Sequence, residues 1–148
     1  MSSVQREELC SLIPHAGSMC LLDAVEQWDD DGIVCHTLSH RRADNPLRGA
    51  EGLAAVHGVE YGAQAMAVHG GLLARRAGAR LPSGYLAALR DVRLHAARLD
   101  EVDAPLQVRA VRLMAEGGNL MYRIEVSVAG RVLVEARVTV ADMSGRTQ

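Results

Sequence analysis

The sequence predicts an α+β fold in which one long, largely apolar helix is wrapped by a curved antiparallel sheet. Residues 53–73 are apolar or small on nearly every side of a helix, and such a helix expects burial all round. After Pro82 the chain changes to a period-two alternation of apolar and polar residues, which is typical of antiparallel strands with one covered face. The length of 148 residues suits a single globular domain, 1–148, with a sizeable core.

Each element has a local signal in the sequence. The aspartates at 29–31 followed by Gly32 predict a hairpin turn, and Asn-Pro and Gly mark a polar loop before the helix. Arg75, Arg76 and Gly78 are typical of a helix end. The predicted elements are a helix over 5–12, strands over 19–28 and 32–39, a loop over 40–51, the helix over 53–73, and strands over 84–97, 105–114, 120–129 and 132–140.

Composition excludes several classes of function. The net charge of −2 produces no general attraction for nucleic acid, and the 3% aromatic content offers few platforms for base stacking. No apolar stretch is long and charge-free enough to span a membrane. The first ten residues lack a basic and then apolar run, so we expect a cytoplasmic protein that binds neither nucleic acid nor membrane.

The cysteines and histidines do not form a recognisable metal motif. Cys10, Cys20 and Cys35 have no CxxC spacing, and their number is odd, so we expect reduced thiols. His36 and His40 would share a strand face, but a zinc site needs a third and a fourth ligand, and none stands nearby. The sequence therefore predicts no metal site.

One carboxylate, Glu60, interrupts the apolar helix, with His57 one turn before it and Gln64 one turn after it. A buried acid is costly unless another group pairs with it, and active sites place acids in this way to tune their protonation. The alternative is that Glu60 reaches solvent or an arginine of a partner subunit. His69 lies more than two turns beyond Glu60 and is expected to be a packing or interface residue.

Four segments carry a family resemblance. LIPHAGSMCLLDAVEQW (12–28) resembles the opening strand of the β-hydroxyacyl-ACP dehydratases, and VEYGAQA (59–65) is similar to their helix motif. The segments at 84–111 and 133–140 are similar to their later strands. The ordered set resembles most closely the dehydratase-like proteins of aryl-polyene and fatty-acid-type clusters, and the resemblance implies the hot-dog fold.

The resemblance also implies an activity and partners. It implies dehydration of a 3-hydroxyacyl thioester in fatty-acid or polyene biosynthesis, without a cofactor, with an acyl carrier protein or coenzyme A as carrier. It implies a homodimer or larger homo-oligomer, or a hetero-oligomer with a related dehydratase. The family's glutamate carries over to Glu60 and its glutamine to Gln64, which would bind substrate. The Gly-His-Phe-Pro-Gly segment that supplies the family's histidine is missing.

The resemblance therefore does not identify the residue that acts as the base or the groups that bind the thioester carbonyl. His57 could replace the missing histidine from inside the helix, His15 or His40 could approach from a loop, or the chain does not dehydrate. Backbone N–H groups at the helix start, near Ala54 and Ala55, could bind the thioester carbonyl. His15 would then contribute to substrate binding as well.

Two further questions concern the carrier and the reaction. A basic patch that docks an acidic carrier protein could be formed by Arg75, Arg76 and Arg80, or by Arg90 and Arg93, although ordinary surface charge also explains them. A thioesterase, in which the helix carboxylate activates water, is the alternative enzyme. A catalytically degenerate subunit that stabilises an active dehydratase is the non-enzymatic alternative.

Overall fold

The computed structural model describes residues 3–13, 19–79 and 84–142. Its helices and strands follow the predicted order, with one additional two-residue strand at the start. They are β1 (Val4–Gln5), α1 (Arg6–Ser11), β2 (Ala24–Trp28), β3 (Gly32–Thr37), α2 (Gly58–Arg76), β4 (Gly84–Leu94), β5 (Leu106–Glu116), β6 (Asn119–Val128) and β7 (Arg131–Asp142).

The strands form one seven-stranded antiparallel sheet in the order β1-β2-β3-β5-β6-β7-β4. The long helix α2 packs across β3, β5, β6 and β7. In β6, Tyr122, Ile124 and Val126 face the core, while Arg123 is exposed, as the period-two pattern predicts. The predicted α+β hot-dog architecture is confirmed. No helix in the described ranges is long and apolar enough to cross a membrane.

The start of the long helix differs from the prediction. The helix begins at Gly58, after a 3-10 turn over Ala55–His57. The residues before it are extended, because Ala55 N–H donates to the Ala97 carbonyl at 2.9 Å and Leu53 accepts from Leu99 N–H at 2.8 Å. This pairing with another segment overrides the helical pattern. The first strand of the hairpin is also shorter than predicted, starting at residue 24 rather than 19.

Glycines bring α2 directly onto the sheet. A Cβ added at Gly62 would lie 2.3 Å from Ile124 Cδ1, and one added at Gly58 would lie 2.9 Å from Val134 Cγ2. Neither position tolerates a side chain without movement of the sheet residues. The helix backbone therefore lies against β6 and β7 with no free space between them at these two turns.

The opposite face of α2 is less covered. Glu60, Ala63, Ala67 and Gly70 are only partly buried, and their spacing of three and four residues places them on one side of the helix. The expectation that the helix is buried on all sides is therefore wrong for a single chain. This less covered face of α2 is mostly small and apolar, and it is available to a ligand or to another chain.

Two of the three cysteines are joined. Cys10 and Cys20 form a disulfide with their Cα atoms 5.9 Å apart, whereas Cys35 is a free, buried thiol. The expectation of reduced thiols is thus wrong for Cys10 and Cys20, whose ten-residue separation carries no motif in the sequence. Burial raises the pKa of the Cys35 thiol to about 12, so this group is not a nucleophile near neutral pH.

Two buried histidines hold separate parts of the fold together. His69 Nε2 donates to the Asp29 carbonyl at 2.7 Å, so Nδ1 is the atom that accepts from the Tyr122 hydroxyl at 2.6 Å. His40 Nε2 donates to the Val102 carbonyl at 3.0 Å. Both rings are fully buried, and burial lowers the pKa of each below its ordinary value. His69 is therefore a packing residue, as the sequence indicated.

These two histidines make stability depend on pH. Their pKa values are lower in the folded chain than in the unfolded chain, where histidine titrates near 6.5, so the unfolded chain binds more protons below that pH. We expect the free energy of unfolding to fall as pH decreases from 7.5 to 5.5. Urea unfolding followed by circular dichroism measures it. His69→Gln removes one of the two groups and should flatten the decrease, and an unchanged slope would contradict the role of His69.

Candidate active site

The candidate site is built around Glu60, on the less covered face of α2, and the buried Gln64 one turn further along the helix. The Gln64 amide is 2% exposed and donates to Glu60 Oε2 at 3.1 Å and to the Met19 carbonyl at 2.7 Å. Its Oε1 accepts from Leu21 N–H at 2.8 Å. Both amide hydrogens and the amide oxygen are therefore engaged, which fixes the orientation of the amide. Gln64 joins the helix, the carboxylate and residues 19–21.

A buried polar network holds the other side of residues 19–21. The Leu21 carbonyl accepts from Thr37 Oγ1 and from Ser39 Oγ, each at 2.6 Å. Because the Ser39 proton points to that carbonyl, the Tyr61 hydroxyl donates to Ser39 Oγ at 2.9 Å and accepts from Asn45 Nδ2 at 3.0 Å. Tyr61 follows Glu60 directly in α2, so the network also fixes the first turn of the helix.

The chain before α2 is held by a buried carboxylate. Asp100 accepts from Leu53 N–H at 2.8 Å and from two guanidinium nitrogens of Arg98, at 2.6 and 3.1 Å. The hydrogen bonds from Arg98 are the main reason that the pKa of this carboxyl lies well below its usual range. Gly52 has a φ of +99°, and a Cβ there would lie 2.5 Å from an Asp100 oxygen, so this turn requires glycine.

A groove opens beside the start of α2. Its volume is ≈ 850 Å³. The residues that line it are Leu47, Arg48, Gly49, Ala50, Glu51, Gly52, Ala54, His57 and Arg98. His57 is partly exposed and makes no side-chain hydrogen bond with the described residues, so its ring is open to the groove. The groove therefore combines an imidazole with two guanidinium groups that flank it.

The structure brings together some of the predicted site residues. Glu60 and Gln64 are hydrogen-bonded, whereas His57 occupies the N-cap position of α2 without a side-chain capping hydrogen bond. Ala54 is exposed in the groove. The N–H of Ala55 donates to Ala97, so it is not free to bind a carbonyl, contrary to the expectation for the helix start.

The remaining histidines are separated. His15 lies outside the described residues. His40 is fully buried in a 3-10 turn and bonded to Val102, so it is not a base that a substrate could reach. His36 lies on β3, with its Nδ1 3.4 Å from Glu26. The expectation that His36 and His40 share a strand face is wrong, because β3 ends before residue 40. The described residues contain no cluster of three His, Cys, Asp or Glu side chains that could hold a metal.

The two candidate basic patches differ in their ion pairs. Arg75 forms an ion pair with Glu8 at 2.8 Å, and Arg76 pairs with Asp30, so the end of α2 is largely neutralised. Arg80 lies outside the described residues. On β4, Arg90 and Arg93 are exposed and form no ion pair with the described residues. Their directly paired neighbours on β7 are Arg137 and Glu135.

Sequence reasoning missed several residues that support the site. Ser39 is the last residue of the predicted strand 32–39, and Asn45 and Asp100 fall in predicted loop or connecting segments, where polarity normally indicates exposure. All three are buried. A buried polar side chain needs partners from elsewhere in the chain, and those partners become visible only when the segments are brought together.

Solved structures with the same fold have low sequence identity to this chain. A chain of the dehydratase heterocomplex ApeI:P from Xenorhabdus doucetiae is 23% identical, with 90% of each chain covered and a TM-score of 0.80. AziG from S. sahachiroi is 20% identical, with 88% of this chain and 97% of that chain covered and a TM-score of 0.60. A hypothetical thioesterase with coenzyme A from Streptococcus pneumoniae TIGR4 is 15% identical, with 83% and 87% covered and a TM-score of 0.59.

These likenesses establish the hot-dog fold. No curated protein sequence matches the chain significantly. The family evidence comes from the sequence itself, which matches the ApeP-like family, described as ApeP dehydratase, over residues 7–148. That match includes α2 with Glu60 and Gln64, and it spans almost the whole chain. The chain therefore belongs to the ApeP-like dehydratase family.

Proposed function

We propose that this dehydratase acts on 3-hydroxyacyl thioesters carried by acyl carrier protein or coenzyme A, in fatty-acid or polyene biosynthesis. The observation that carries the proposal is that the Glu60 carboxylate, on the less covered face of α2, is held by a hydrogen bond from Gln64. The family match supports the reaction class. Glu60 is the acid that such a reaction needs, and it lies where a ligand can approach.

The reaction requires two proton transfers. A base removes the Cα proton of the thioester, the C2=C3 double bond forms, and the C3–O bond breaks. Glu60 gives its proton to the leaving oxygen, which departs as water. Gln64 Nε2 donates to Glu60 Oε2 at 3.1 Å, which orients the carboxyl group. Gln64 is thus a positioning residue for the acid.

We assign the base to His57. It lies one turn before Glu60, its ring is open to the groove, and imidazole is suited to proton transfer near neutral pH. Ala54 lies beside it in the same groove, at the amino end of the helix, where the partial positive charge of the backbone favours a polarised carbonyl. His15 is the alternative base.

A carrier protein is acidic, so a basic surface would favour its approach. Of the two candidate patches, the β4 arginines Arg90 and Arg93 are available, whereas Arg75 and Arg76 are paired with acids. Leu94 follows Arg93 in β4 and pairs with Val134 on β7. The start of α2, at Gly58, packs against the same Val134. The patch therefore lies one strand away from the helix start.

A dimer or larger assembly accounts for the exposed edge of the sheet. β4 is the last strand in the sheet order, and Leu89, Val92 and Leu94 on it are 41%, 38% and 47% exposed. An exposed edge strand is a template for pairing with another chain, and apolar side chains on it favour such a contact. We propose a homodimer or larger homo-oligomer. The dehydratase heterocomplex with the same fold supports a related dehydratase as another partner. A cytoplasmic location remains a prediction from the sequence.

We expect Glu60→Gln to keep the fold and to reduce dehydration by a factor of about 10²–10⁴, because an amide N–H is not acidic enough to transfer its proton to the leaving hydroxyl. The measurement is mass-spectrometric detection of 2-enoyl product from a 3-hydroxyacyl-ACP, with thermal unfolding as the control for folding. Full activity of the variant would exclude Glu60 as the acid. Hydrolysis of acyl-CoA without dehydration would instead indicate a thioesterase. Activity found only with a co-expressed related dehydratase would indicate a partner subunit.

His57→Ala should lower kcat by a similar factor of about 10²–10⁴ with little change in KM, since the variant loses the proton acceptor. His36→Ala is the matched control, because His36 is partly buried on β3 and does not line the groove. Normal turnover in His57→Ala together with loss of turnover in His15→Ala would assign the base to His15.

The assembly is tested at the sheet edge. Light scattering at micromolar concentration should give at least the mass of a dimer, and Leu94→Arg should shift it towards the monomer by placing a charge in an apolar contact. Leu113→Arg is the control, since Leu113 is 49% exposed but lies on β5, away from that edge. A monomeric wild-type protein would refute the proposed assembly.

A further inference from the structure

The Cys10–Cys20 disulfide lies next to the residues that hold the candidate acid. Cys10 is on α1 and is partly buried, whereas Cys20 is fully buried. Cys20 stands between Met19 and Leu21, whose backbone groups are the two anchors of the Gln64 amide. The disulfide therefore ties α1 to the short segment on which Gln64 depends.

A continuous chain of bonds leads from the disulfide to the carboxylate. The backbone on either side of Cys20 is bonded to Gln64 at 2.7 and 2.8 Å, and Gln64 donates to Glu60 Oε2 at 3.1 Å. If the Met19 carbonyl moves away, one amide hydrogen loses its acceptor, and the amide can rotate. The same rotation would move the other amide hydrogen away from Glu60, because both hydrogens belong to one planar amide group.

The hydrogen bonds of the Leu21 carbonyl, on the other side of residues 19–21, do not depend on the disulfide. The Leu21 carbonyl is held by Thr37 and Ser39, and Ser39 is held in turn by Tyr61. Breaking the disulfide would therefore loosen residues 19 and 20 while the core behind Leu21 remains packed. The effect expected at the site is a change in the position of the carboxylate and not unfolding.

We propose that the Cys10–Cys20 disulfide is a redox-sensitive latch that holds residues 19–21, and through them Gln64 and Glu60, in the arrangement needed for proton donation. The latch rests on the proposed dehydration. A dithiol reductant breaks the S–S bond and is itself oxidised to a disulfide, while Cys10 and Cys20 become thiols. The partly buried Cys10 is the more accessible sulfur for this attack. Cytosolic disulfides are commonly transient and redox-sensing, which fits a latch of this kind.

The test compares the full-length protein purified without reductant with the same protein after dithiothreitol treatment. Titration of thiols in denaturant should give one thiol, Cys35, before treatment and three after it. Reduction should lower kcat by about tenfold, the upper range for loss of one neutral hydrogen bond, with KM changed little. Three thiols in protein exposed to air would overturn the proposal, as would equal kcat in the two states.

Three variants show whether the effect follows the chain of bonds. Cys10→Ser should have the low kcat of the reduced protein and should not respond to dithiothreitol. Cys35→Ala keeps the disulfide and should respond as the wild type does. Gln64→Ala removes the connecting amide, so its low kcat should be the same in both redox states. A full response in Gln64→Ala would overturn the proposed connection.

Amide hydrogen exchange provides a readout that does not depend on catalysis. Leu21 N–H belongs to the peptide bond with Cys20 and donates to Gln64, so its protection should fall when residues 19 and 20 loosen on reduction, whereas amides in β6 should keep theirs. Loss of Leu21 protection in a protein that dehydrates in neither state would support the latch and refute the proposed reaction. Unchanged Leu21 protection on reduction would overturn the latch.

Discussion

The arrangement of the site depends on the hydrogen bonds of one buried amide. Gln64 is the residue through which α2, the Glu60 carboxylate and residues 19–21 are joined. A buried amide that loses a partner costs about 1–3 kcal/mol, so the three bonds favour a single arrangement of these parts. The second network, through Ser39 and Tyr61, repeats the same connection from the other side. The Glu60 carboxylate is thus positioned by the core and not by a surface loop.

Most of the fold was predictable because its signals are local. The alternation in β5, β6 and β7 and the long apolar run of α2 each specify an element without reference to distant residues. The helix start was predicted wrongly for a physical reason. Leu53 and Ala55 are small or apolar and buried, as helix residues would be, but they are buried by pairing with residues 97–99. Periodicity cannot distinguish these two forms of burial.

The candidate site was predictable only in its central pair. Glu60 and Gln64 were proposed because an acid in an apolar helix is unusual and because the family motif contains both, and the structure joins them by a hydrogen bond. Asp100 and Ser39 were not found, since their function depends on partners many residues away in the sequence. The disulfide was missed for the same reason, because no sequence motif indicates that the sulfurs of Cys10 and Cys20 meet.

The contact of Gly58 and Gly62 with the sheet has a consequence for how activity scales with protein concentration. Since no space exists between α2 and the sheet at these turns, the acyl chain of the proposed substrate would have to lie on the outer face of the helix. One chain leaves that face partly open to water, so in the proposed assembly a neighbouring chain would supply the second wall of the site. Association would then be part of catalysis by mass action. The rate per chain would fall on dilution, and an excess of substrate, by binding only the associated form, would restore it.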